Sequence, residues 1–114
     1  MDWELERSAA RLVGRARGRV DETTWEAFSQ ALTAAVREAA EAGGLPLIVD
    51  LSGLDYMSSR GLRALTMAKR EAGEVVKITL AAPNDRMREI LAISRYDKLF
   101  NVTDGVPAFG GPET

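Results

Sequence analysis

An α/β sheet with helices attached is the fold class predicted by this 114-residue chain, and three observations lead to it. Apolar residues alternate with period two near the N-terminus, recur at helical spacing further on, and form short continuous runs between the helical stretches. The resulting order is strand, strand, helix, strand, helix, strand, helix, strand. Two consecutive strand-helix-strand crossovers follow from it and imply largely parallel pairing. The length suits one domain, which at this size buries roughly two thirds of its unfolded surface without a disulfide or metal staple.

Each element has a local cause. Trp3 and Leu5 alternate with Asp2, Glu4 and Glu6, the pattern of a short half-buried strand. From Arg11 to Val20, Leu12, Gly14, Ala16, Gly18 and Val20 fall on one side, and Arg11, Val13, Arg15, Arg17 and Arg19 on the other. One side packs, and the other is expected to meet water. Thr23 and Glu26 stand at capping-box spacing and predict a helix start. Trp25, Phe28, Leu32, Ala35, Val36 and Ala39 continue it as one apolar face over roughly Thr24 to Ala42, until Gly43 and Gly44 stop it. Leu47, Ile48 and Val49, ending in Asp50 and Leu51, read as a strand buried on both faces.

A second helix is expected from near Ser59 to Gly73, with Leu62, Leu65, Ala68 and Ala72 inward. Val75 to Ala82 is strand-like, with Val76, Ile78 and Leu80 on one face and Pro83 closing it. Asn84 or Asp85 caps a third helix whose apolar stripe is Met87, Ile90 and Leu91. Phe100 to Thr103 adds a last short strand. Neither a repeat nor an internal linker divides the chain; the domain is expected to span 1–105, with a flexible Gly- and Pro-rich tail at 106–114.

Composition removes whole classes of function. Cysteine and histidine are absent, which excludes thiolate and imidazole metal ligands, a cysteine nucleophile and every Ser-His-Asp arrangement. There is no G-x-x-x-x-G-K-[ST] run to cradle nucleotide phosphates. Asp50 and Asp55 form a conceivable acid-base pair, but Asp50 more simply ends a strand and Asp55 more simply fills a turn. No enzymatic activity, metal or cofactor is expected. A net charge of −2 supplies no large cationic field for nucleic acid. Arg7, Arg11, Arg15, Arg17 and Arg19 crowd the first 20 residues, but among Gly and Ala rather than stacking aromatics. A solvated strand face or an acidic partner suits them better. No run approaches the ~20 apolar residues of a membrane span, and Met1 to Arg11 lacks the pattern of a signal peptide, so a cytoplasmic protein is expected.

The informative segment is Asp50 to Leu65, DLSGLDYMSSRGLRAL, at a strand-to-helix junction where α/β proteins concentrate their sites. Ser58 and Ser59 stand at the N-cap, followed by Gly61, whose missing side chain permits close backbone approach. A serine here ordinarily caps the helix. The other use is to accept a phosphate, which free helix-end amides and the positive end of the dipole accommodate. Arg60 and Arg63 lie in the first turn, where cations are mildly unfavourable unless they answer such a dianion. With Lys69 and Arg70 they give the helix a positive, acid-free stretch, which is either that answer or an ordinary solvated surface.

GRVDETTWEAF (Gly18 to Phe28), LIVDLSGLDYMSSRGLRAL (Leu47 to Leu65) and ITLAAPNDRMREILAISRYDKLFNVTD (Ile78 to Asp104) resemble the STAS family of anti-sigma factor antagonists. The likeness runs over about residues 3 to 104, and the middle motif is its specific part. It implies the STAS fold, a mixed and mostly parallel sheet of about four to five strands with helices packed against it. Tyr56, Met57, Ser58, Ser59, Arg60, Gly61 and Leu62 match the family's regulatory motif in order, which puts the phosphoacceptor at Ser59. Ser58 stands where many members have Asp and so is a rival acceptor. Arg60 replaces a residue that is usually small, and either hinders docking of a kinase or pairs with the phosphate. Asp21 matches an acidic position near the acceptor on the partner-binding surface; otherwise it is a turn residue.

The partner-binding set implied is Asp21, Ser58, Arg60, Gly61 and Arg63. The resemblance implies a switch: unphosphorylated, the protein binds an anti-sigma factor serine kinase and releases the sigma factor. Phosphorylation ends the binding, and a metal-dependent serine phosphatase restores it. The alternative is a non-switching STAS scaffold, a subunit of a lipid-transport ATPase or of a stress-signalling assembly.

Overall fold

The antiparallel pairing of the first two strands and the parallel pairing of all the others set the architecture. The computed structural model describes residues 1–107. Its elements are β1 (Asp2–Arg7), β2 (Leu12–Val20), α1 (Trp25–Glu41), β3 (Leu47–Met57), α2 (Ser59–Ala72), β4 (Ile78–Ala81), α3 (Asp85–Ile93), α4 (Tyr96–Leu99) and β5 (Asn101–Thr103). The sheet order is β1-β2-β3-β4-β5, so all three strand-helix-strand units of the expected order are crossovers that step in the same direction across the sheet. Right-handed crossovers that all step one way put their helices on one face. Phe28, Leu32 and Val36 of α1, Leu62 and Leu65 of α2, and Met87 and Leu91 of α3 accordingly share one core with Leu12, Val49, Leu51, Leu54 and Leu80 of the sheet.

Trp3 shows why β1 needs a glycine beside it. Its register partner is Ala16, and its ring lies over Gly14, where a Cβ would stand 2.3 Å from the indole. The same indole meets Phe28 edge-on at 6.4 Å, tying the edge strand to α1.

The opposite face of the sheet is not solvated throughout. Val13, expected to meet water, is buried with Ile48 and Ala81 under Val106. The chain after β5 thus returns across the sheet, and the Pro107 carbonyl accepts a hydrogen bond from the Arg11 guanidinium. Of the tail expected at 106–114, these first two residues pack; residues 108–114 lie outside those described. The arginine row on β2 is spent locally: Arg15 meets Glu6 and Asp50, Arg17 meets Glu4 and Arg19 meets Asp21, while Arg7 of β1 reaches Glu38 of α1. Arg7 holds the Glu38 carboxyl below its usual range, chiefly through its hydrogen bond.

Several local expectations are corrected. The helix beginning at Trp25 has Thr24 at its N-cap position with no side-chain capping bond, and Thr23 takes no part in a capping box. Asp21 wins that competition: its carboxylate accepts from the Thr23 amide at 3.0 Å and hydroxyl at 2.8 Å, an Asx turn that uses up the would-be capping residue. Strand β3 continues six residues past Leu51 because β2 is long enough to pair with it as far as Val20↔Met57. Asp50 is therefore mid-strand, buried against Arg15 at 3.4 Å and the Ser52 amide at 3.0 Å, and Asp55 is on the strand and not in a turn. β4 begins only at Ile78, since Val75 and Val76 turn back to the Ala72 carbonyl. The single-turn α4 is absent from the sequence reading. Of the two caps expected for α3, Asn84 is the one used, accepting from the Met87 amide at 2.9 Å while its side-chain amide donates to the Leu54 carbonyl at 2.7 Å.

Candidate functional site

Pairing between β2 and β3 persists to the strand ends and brings the β2–α1 turn beside the start of α2. The Ser58 amide donates to the Val20 carbonyl at 2.8 Å, one residue before Asp21. Ser58 is the N-cap of α2: extended in backbone, only 8% exposed, with its hydroxyl oxygen accepting from the Gly61 amide at 3.3 Å. Ser59, the next residue, is the first of the helix and is exposed. The two adjacent serines are thus separated by their work, one holding the helix end and one facing solvent. Ser58→Ala is expected to cost about 1 kcal/mol of stability, as loss of a helix cap does. Chemical denaturation reads it, and an unchanged midpoint would show the cap to be idle.

Gly61 is buried under the end of the sheet. A Cβ there would stand 2.5 Å from Met57 Cγ and 2.7 Å from Val20 Cγ1. Its missing side chain therefore lets α2 sit down on β2 and β3, so the close approach expected at Gly61 is made by the protein's own Met57 and Val20. Ser58 and Gly61 stand behind the surface, and Asp21, Ser59, Arg60 and Arg63 form it.

Asp21 is anchored from several directions. Besides the Thr23 bonds, its amide donates to the Thr24 hydroxyl oxygen at 2.9 Å, and that hydroxyl in turn donates to the Arg19 carbonyl at 2.8 Å. The Thr23 hydroxyl, then the Thr23 amide, and to a lesser degree the Thr24 hydroxyl and Arg19, hold the Asp21 carboxyl below its usual value. Asp21 is an anion at neutral pH. Its contribution to the turn is complete above the ordinary aspartate range and is lost as pH falls through the lowered folded value. A carboxyl NMR titration should find Asp21 more acidic in the native than in the denatured protein; equal values would remove it as an anchor.

The basic stretch of α2 does not act as one face. Arg60 leans to the β2–α1 turn, with Nε 3.3 Å from Glu22 and its guanidinium 5.4 Å from the Trp25 ring centroid. Lys69 lies over the Phe100 ring at 5.6 Å. Arg63 and Arg70 instead line a shallow groove of about 590 Å³ together with Ser59, Thr66, Met67 and Tyr96. The Thr66 and Tyr96 hydroxyls share a hydrogen bond at 2.7 Å across it. Sequence reasoning missed Glu22, Trp25, Thr66 and Tyr96. The groove residues on α2 follow Ser59 at steps of four, three and four to Arg63, Thr66 and Arg70, a spacing that could have revealed them. Among the described residues no group of three or more metal-ligating side chains gathers.

The described residues form an α/β fold with a five-stranded mixed sheet that presents an exposed serine at the start of α2. The chain belongs to the STAS family: the family model described as "Mlab, STAS domain" matches residues 3–103. A STAS-domain containing protein of Pseudomonas aeruginosa is 37% identical over 57 residues, a match covering 49% of this chain and 56% of that protein. The chain thus spans little more than half the length of that relative. Of solved structures, an anti-sigma factor antagonist from Mycobacterium paratuberculosis has a TM-score of 0.81 at 23% identity, over 92% of this chain and 86% of the other. The Bacillus cell fate determinant SpoIIAA in its phosphorylated form has a TM-score of 0.63 at 21% identity, over 89% and 90%. At these identities the likeness is one of fold. The expected family and the expected STAS architecture are both borne out. No helix among the described residues is long and apolar enough to cross a membrane.

Proposed function

We propose that this chain is an anti-sigma factor antagonist of the cytoplasm, switched by phosphorylation of Ser59. Unphosphorylated, it binds an anti-sigma factor serine kinase through Asp21, Ser59, Arg60 and Arg63, and the kinase releases its sigma factor. The kinase then transfers a phosphoryl group: the Ser59 Oγ–P bond forms, the bond from the γ-phosphorus of ATP to its bridging oxygen breaks, and the hydroxyl proton leaves to a base of the kinase. The dianion ends the complex, and a metal-dependent serine phosphatase restores the starting state. Catalysis belongs to the partners.

The observation that supports this most is the division between the two serines. Ser58 is buried and occupied as the cap, so phosphorylating it would strip α2 of its cap, whereas Ser59 can carry a phosphate without displacing anything. The solved anti-sigma factor antagonists of the same fold support the partner class.

Affinity capture from lysate of the source organism, with wild type and Ser59→Asp as parallel baits, tests it. A serine kinase held by wild type alone is the expected result. Transporter subunits held by both baits would instead make the chain a non-switching scaffold.

A further inference from the structure

The geometry points to Arg63 as the residue that holds a phosphate on Ser59, in the groove between α2 and Tyr96. This rests on the reading of Ser59 as the phosphoacceptor. Ser59 and Arg63 stand four residues apart on α2, the spacing at which side chains meet, and both line the same groove. Arg60 is nearer in sequence but already committed to Glu22 and Trp25 on the other side of the helix start.

Part of the helix end is already in use. The Gly61 amide is taken by the Ser58 hydroxyl and the Leu62 amide by the Ser58 carbonyl. Arg63 and Arg70 supply what is missing. Among the described residues neither has a carboxylate partner, although seven other arginines do. The groove therefore carries two uncompensated cations on the wall that Ser59 opens onto, with Arg63 one turn from the serine and Arg70 two turns beyond it. A phosphate there folds back onto its own helix, and the positive groove that faces a partner in the unphosphorylated protein is neutralised from within.

Full-length protein carrying phosphoserine at 59, installed during translation, gives the test without any kinase. Phosphorus NMR titration follows the second ionisation of the phosphate in wild type, Arg63→Gln and Arg60→Gln backgrounds. A cation one turn away should raise that ionisation constant by roughly two- to threefold over the Arg63→Gln phosphoprotein. The gain should shrink in molar salt and survive Arg60→Gln. Both arginines are exposed, so circular dichroism should show all three proteins folded.

Identical titrations for wild type and Arg63→Gln overturn the assignment. Loss of the gain in Arg60→Gln alone also overturns it, by showing that the phosphate draws Arg60 away from Glu22. Failure of kinase capture would instead sink the proposed switch and leave this ionisation result standing.

Discussion

Ser59→Asp is expected to fold as the wild type does and to lose the kinase, its affinity falling at least tenfold, while Ser59→Ala keeps both fold and affinity. The reason lies in where Ser59 stands. It is exposed at the first position of α2, whose first turn has no acidic residue. A carboxylate at that end of the helix dipole is mildly favourable, about 0.3–1 kcal/mol, so the isolated variant should melt no lower than wild type. In a docked complex the same carboxylate must give up water, and without a prepared partner that costs several kcal/mol, where 1.4 kcal/mol is already tenfold in affinity. Urea melts and titration calorimetry against the captured kinase separate the two effects. Equal affinities for the two variants would refute the switch, and a melted Ser59→Asp would make the position structural. Because Asp carries less charge and fewer oxygens than phosphoserine, the encoded phosphoprotein should show the larger loss.

Gly61→Ala should destabilise the domain by about 1–3 kcal/mol, the usual cost of inserting a methyl into a closed core. The sign is what makes this variant informative. On an exposed helix the exchange would stabilise by about 1 kcal/mol, because alanine is the better helix former. Here the new methyl meets Met57 and Val20 well inside contact distance, so α2 must lift from the end of the sheet. Lifting it also moves Ser58 from the Val20 carbonyl and tilts Ser59 on the surface. A lower denaturation midpoint is the expected result. A higher midpoint with weakened kinase capture would return Gly61 to the role of admitting a partner.

Much of the fold could be read along the chain because its causes are local. The inward residues of α1 and α2, the glycine that stops α2 and the asparagine that starts α3 follow from periodicity and caps within a turn or two. The expectations that failed involved competition with something distant or a second local acceptor. Thr23 had the right spacing for a cap, but Asp21 offered its amide and hydroxyl a carboxylate first. Asp55 had the look of a turn residue until the length of β2 kept it in the ladder. Val13 fell on the polar side of its strand and was buried by a segment more than ninety residues away.

By itself the sequence determined the order of the five strands and the three longer helices, the inward faces of those helices, the family, and the place of two serines at the start of the second helix. These rest on periodicity, capping and a contiguous motif, all of which are legible one residue after another. Only the tertiary structure decided which serine is spent on the helix, what Gly61 makes room for, and where each arginine of α2 points. Those outcomes depend on Val20, Glu22, Trp25 and Tyr96, side chains that reach the site from other elements, and the geometry that joins them exists only once the sheet has closed beneath α2.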